Sequence, residues 1–142
     1  MASSNQRKIL YFGASAISES VINRLQDAGW LVSVARDVQD ACKIIKEREI
    51  HVALAGINDI QSEEWLPPIE ALMQSSLRVE WVALFPVINV NYEFIHRMLG
   101  EFFFGFHSLP YDVKNLLFTL DHADQIARMR WVQNKELQIK TD

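Results

Sequence analysis

Residues able to do chemistry are few in this chain, and their spacing does not gather them. The four histidines, His51, His96, His107 and His122, show no HxH or HxxxH pattern, so no strand or helix face presents two of them to a zinc ion. The single cysteine, Cys42, can make neither an internal disulfide nor a thiolate metal site and reads as a small buried residue. A hard divalent cation needs two or three converging carboxylates. Asp59, in the loop after the run His51–Ala55, could reach such a place, and an exposed turn aspartate is the commoner use of that position. Nucleophilic serine chemistry is announced by GxSxG, whereas Ser15 sits in Gly-Ala-Ser-Ala-Ile. A loop that cradles phosphate needs several glycines or a lysine, and Phe12–Ser18 has one glycine and no lysine. Ser15 and Ser18 are better used as helix caps than as an anion site. No enzyme, metal site or cofactor is expected from these residues.

The elements that would position any site are clearer. In 142 residues, 49% hydrophobic and 23% charged, there is room for one compact domain. A net charge of −4 gives no footprint for polyanions, so direct nucleic-acid binding is not expected. No apolar run approaches the roughly 20 residues of a membrane helix. The polar start Met1–Lys8 lacks an apolar signal segment, which reads as cytoplasmic.

Apolar runs at 7–12, 30–35, 51–55, 79–84 and 102–106 predict strands, the fifth carrying Phe102, Phe103, Phe104 and Phe106. Between them lie helical patterns: Ile17, Val21, Ile22 and Leu25 ending at Gly29; Ala41, Ile44 and Ile45 after the cap Asp37; and a helix to about Gln74. The last of these begins near Trp65 if Pro67 and Pro68 occupy its first turn. A short helix through Phe94, Ile95 and Met98 precedes the fifth strand, and Pro110-Tyr111-Asp112 opens a long last helix. Alternation of this kind gives β-α-β crossovers. The expected fold is therefore α/β, a flavodoxin-like (βα)5 three-layer sandwich with a five-stranded parallel sheet in order 2-1-3-4-5. Residues 1–126 form the domain, and 127–142 a helical extension leading to a further domain.

Open parallel sheets bind ligands at the carboxyl ends of their strands. There the sequence places Gly13 and Ala14, Arg36 and Asp37, Gly56 and Ile57, Phe85 and Pro86, and His107 to Leu109. His107 is the histidine standing where a functional residue would be expected.

This order of elements, with the turn Leu109-Pro110-Tyr111-Asp112, resembles a response-regulator receiver domain over about residues 7–126. In that family two acids after the first strand hold magnesium, an aspartate ending the third accepts a phosphoryl group, a Ser or Thr ends the fourth, and a lysine precedes the proline. Here those positions are Gly13 and Ala14, Gly56, Phe85 and Leu109. The resemblance thus implies a pseudo-receiver with a degenerate pocket and no phosphoacceptor at Gly56. The runs Leu77–Phe85 and Glu101–Phe104 are similar to the N-terminal domain of NtrC-like enhancer-binding activators, in the subgroup controlling biofilm and flagellar genes. That implies a regulatory and dimerisation domain of a sigma-54-type bacterial transcriptional activator, followed by AAA+ and DNA-binding domains.

Receivers commonly pair through the short fourth helix, fifth strand and last helix. Phe94, Met98, Phe102, Phe104, Leu116, Leu120 and Trp131 are the candidates for a homodimer interface. Trp131 lies beyond the expected core, where exposure would call for a partner. The alternative is a small-molecule sensor, with cyclic di-GMP among its candidate ligands, in which the emptied pocket around Gly13, Gly56, Phe85 and Leu109 binds and Arg36, Arg78 or Arg97 meets phosphate.

Overall fold

A computed structural model describes residues 7–13, 18–57, 63–76, 78–86, 93, 96–97, 100–101, 103–109 and 111–141, without the side chains of Ser18, Glu63, Leu109 and residues 134–141. Five strands, β1 (Lys8–Phe12), β2 (Leu31–Ala35), β3 (Val52–Gly56), β4 (Glu80–Pro86) and β5 (Gly105–Leu109), form one sheet in the order β2-β1-β3-β4-β5. All pairings are parallel, with Tyr11 opposite Val34 and Leu54, and Gly56 opposite Leu84. The helices are α1 (Ser18–Asp27), α2 (Val38–Arg48), α3 (Leu66–Ser75) and the terminal helix α4 (Val113–Thr141). Of the described residues between β4 and β5, Glu93, His96, Arg97, Gly100 and Glu101 are helical, and Phe103 and Phe104 lead into β5.

Burial on both faces explains the near-continuous apolar runs. Alternate residues point to opposite sides. Leu10, Phe12, Trp81, Ala83 and Phe85 meet Ala41 and Ile45 of α2 and Ile69 and Leu72 of α3. Ile9, Tyr11, Leu54, Val82 and Leu84 meet Val21 and Leu25 of α1 and Leu116, Leu120 and Ala123 of α4.

Local signals set the helix ends. The Asp37 carboxylate accepts from the Asp40 N–H at 2.7 Å, and Asp112 accepts from the N–H groups of Lys114 and Asn115 at 2.9 and 3.2 Å. Gly29, at φ 93°, ends α1 as its N–H donates to Gln26 and that of Trp30 to Leu25. Pro67 and Pro68 stand in the first turn of α3, after a 3-10 turn at Glu63–Trp65.

The fifth strand departs from the sequence reading. It starts at Gly105, three residues after the start of the aromatic run, because the run enters the core instead of the sheet. Phe103 is buried against Trp65, with centroids 5.9 Å apart, and Phe104 packs edge-on to His122 at 5.3 Å. A Cβ on Gly105 would stand 3.0 Å from the Thr119 methyl, so a residue without a side chain lets β5 lie against α4.

The terminal helix is long, as the sequence pattern predicts. It runs unbroken for 29 residues, Ala127 is buried, and Arg130 pairs with Glu80 at the start of β4. No helix among the described residues is long and apolar enough to cross a membrane.

Candidate functional site

At the carboxyl ends of the strands, β1 and β3 approach so closely that side chains are excluded. Gly13 adopts φ 127°, a region that favours glycine, and a Cβ there would stand 2.5 Å from the Gly56 carbonyl oxygen. A Cβ on Gly56 would fall on the hydroxyl of Tyr11, two residues back on β1 and fully buried. Tyr11 thus occupies the space into which a residue at position 56 would project its side chain. Phe85 is buried and stacks on Phe106 with centroids 6.0 Å apart, while the Ile57 N–H donates to the Leu84 carbonyl at 2.9 Å. Leu109 enters through its backbone, opposite Pro86. Ala14 and Asp59 lie outside the described residues. Two of the five positions read as an emptied pocket, Gly13 and Gly56, therefore come together as a packed junction with Tyr11 filling it, while Phe85 is buried in the core on the other face of the sheet. The sequence reading missed Tyr11, because an aromatic in an apolar run looks like ordinary core.

His107 does not sit at the mouth of the sheet. It lies mid-strand in β5, half-buried, with Nε2 2.8 Å from the Thr119 hydroxyl. That hydroxyl donates to the Asn115 carbonyl at 3.0 Å, so His107 Nε2 carries the proton in the shared bond. Burial holds the His107 pKa below its ordinary 6.5. Among the described residues no group of three His, Cys, Asp or Glu converges to hold a metal ion.

Of the dimer candidates, Leu116 and Leu120 are buried against the sheet and offer nothing to a partner, and Phe104 is half-buried. Phe94, Met98 and Phe102 lie outside the described residues. Trp131 is not the exposed tryptophan anticipated. It packs back on the domain, with the Arg78 guanidinium 3.9 Å above its ring and His51 edge-on at 6.4 Å. The large apolar side chains that do face solvent on this side are Phe106 (41%), Phe118 (74%), Met129 (57%) and Val132 (52%).

A different feature lies at the amino end of the sheet, and Arg78, expected to serve the pocket at the carboxyl end, belongs to it because it precedes β4. A groove of about 300 Å³ opens between the ends of α2 and α3 and the far part of α4, with Lys46, His51, Arg78 and Trp131 in its walls. His51 Nδ1 is buried without a hydrogen-bond partner. Desolvation first, then the Arg128 charge, pushes the His51 pKa below 6.5.

The sheet order and the two helical layers give the fold of a response-regulator receiver domain. Solved structures share the fold. NtrX from Brucella abortus in complex with ATP is similar at TM-score 0.74 and 17% identity over 91% of this chain, which spans 29% of that protein. The signal receiver domain of an HD domain-containing protein from Pseudomonas fluorescens Pf-5 gives 0.69 and 17%, covering 88% of this chain and 91% of that one. A response regulator receiver domain protein from Clostridium thermocellum gives 0.69 and 15%, covering 87% and 98%. No curated protein sequence matches. The VpsR domain model matches residues 1–121, and the chain belongs to that family.

Proposed function

We propose that this chain is a regulatory and dimerisation domain of a bacterial transcriptional activator that works without aspartyl phosphorylation at the position receivers ordinarily use. The observation that carries the reading is the junction of Gly13, Gly56 and Tyr11. An aspartate at position 56 would have to displace a buried tyrosine, and an acid at position 13 would need both a backbone angle unfavourable to side chains and the space of a carbonyl oxygen. Gly13 and Gly56 themselves offer no carboxylate to magnesium, and among the described residues no group of three acidic, His or Cys side chains converges to hold a metal ion. Resemblance to NtrX, of which this chain spans under a third, favours a receiver-like module with further domains after it.

Pairing of two copies is supported by the outward side of α4. Phe118, His122, Gln125, Met129 and Val132 follow one another at steps of four, three, four and three, the spacing of a coiled-coil seam, and all five are exposed. This seam takes the place of Leu116, Leu120 and Trp131. Sedimentation equilibrium over a hundredfold concentration range tests it: the wild-type chain is expected to dimerise and Phe118→Ser to weaken association about tenfold or more. A wild-type chain that stays monomeric, or a Phe118→Ser chain that pairs as well as wild type, would remove dimerisation through this helix.

A further inference from the structure

The amino-end groove has the makings of a ligand site that nothing in the phosphorylation pocket supplies. Arg78 comes from the turn before β4, and its guanidinium carbon stands 3.9 Å over the Trp131 ring. Arg78 is exposed, so its guanidinium keeps N–H donors for an incoming group, and the planar fork of such donors recognises carboxylate and phosphate oxygens two at a time. Lys46, in the last turn of α2, brings a second cation. Neither forms an ion pair among the described residues. The apolar wall is made by Ile45 and Ile50 together with Trp131. The groove also holds His51, whose Nδ1 lacks a partner although buried. Its volume lies at the small end of the roughly 300–1,000 Å³ of ligand pockets.

Backbone strain marks the same place. Glu49, which caps α2 and lines the groove, sits at φ 52°, the one non-glycine residue with positive φ among those described. A position where glycine would be easier is occupied by a charged side chain, whose negative charge in the groove lining works against an incoming anion.

We propose that this groove binds a small organic anion, one carboxylate or phosphomonoester on a single-ring apolar body, held by Arg78 and Lys46 with the ring against Ile45, Ile50 and Trp131. Because Trp131 belongs to the far part of α4, an occupied groove fastens that stretch of helix to the base of the domain. The proposal goes beyond the dimerisation reading and does not depend on it.

The test is a ¹H–¹⁵N NMR titration of the 142-residue chain with phenyl phosphate and with benzoate, using benzyl alcohol and inorganic phosphate as controls. Saturable shifts are expected for at least one aromatic anion at His51, Ser76, Arg78 and the Trp131 indole, with slower amide exchange around Trp131. Arg78→Gln should weaken binding about tenfold or more, Arg78→Lys less, and Glu49→Gln should strengthen it. Arg36→Gln, at the opposite end of the sheet, should leave it unchanged. The proposal falls if neither anion gives a saturable response or if Arg78→Gln binds as wild type with its amide dispersion intact. It falls equally if benzyl alcohol or bare phosphate binds as well as phenyl phosphate. Sedimentation of the Arg78→Gln chain keeps the two readings apart, since its self-association should match wild type.

Discussion

The two ends of the sheet are built from the same five strands and have opposite characters. At the carboxyl end, glycines at positions 13 and 56 let β1 and β3 come together and the buried Tyr11 takes the space beside Gly56. At the amino end, the last turns of α2 and α3 stand apart, and α4 closes over the gap with Trp131. The junction at the first end is closed by packing; the second end has a groove lined by charged side chains. A parallel sheet offers loops at both ends, and helix C-termini attract cations to the amino end. A chain that gives up the acids after its strands therefore still has a second place on the same scaffold where charged side chains and a cavity meet.

Substitutions can break this contrast. The largest effect is expected at the tight end: Gly13→Ala should destabilise by about 2–4 kcal/mol in urea unfolding, since the new methyl meets a backbone carbonyl at a left-handed angle. Gly56→Ala should cost about 1–3 kcal/mol, and Tyr11→Phe in the same chain should return part of that cost, giving a measurable coupling in the double-mutant cycle. A Gly56→Ala chain as stable as wild type would mean that the junction is looser than described. At the open end, Trp131→Ala should cost about 1–2 kcal/mol, from the lost Arg78 and His51 contacts, and should raise amide exchange in α4 beyond residue 126. Glu49→Gly should do the reverse, gaining up to about 1 kcal/mol by relieving the left-handed backbone.

The smallest expected effect is on pH dependence. His51 and His107 both have folded-state pKa values below 6.5, so the unfolded chain takes up protons first as pH falls. Their stabilising contribution is complete above 6.5 and is lost progressively below it. The melting temperature should fall with acidification in that window, and His51→Asn should flatten the fall. An unchanged slope in that variant would place the His51 ring in solvent, not in the wall of the groove.

Much of the fold could be read in the sequence because each element carries its own signal. The first four strands are apolar runs ended by Gly13, Arg36, Gly56 and Pro86, and Asp37 and Asp112 mark their helices by capping chemistry. The fifth strand was misplaced for a physical reason: aromatic residues raise strand propensity whether they sit in a sheet or plug a core, and Phe103 does the latter. The glycines at 13 and 56 were visible as departures from a receiver, but their dependence on Tyr11 was not, since it arises across strands. The groove was invisible for the same reason. Lys46, His51, Arg78 and Trp131 come from four separate stretches, and the one hint was a tryptophan in the extension, which suggested an external partner and found an internal one.

The claim at the centre of this account is that the carboxyl-end junction transmits no phosphoryl signal. It is tested most directly by incubating the chain with acetyl phosphate and magnesium, then measuring intact mass and sedimentation on the same sample. The account predicts no covalent phosphoryl adduct and an unchanged association constant. A phosphoryl adduct cleaved by base and by hydroxylamine, as an acyl phosphate is, that shifts the chain toward dimer would contradict it and would direct attention to Asp59 as the acceptor.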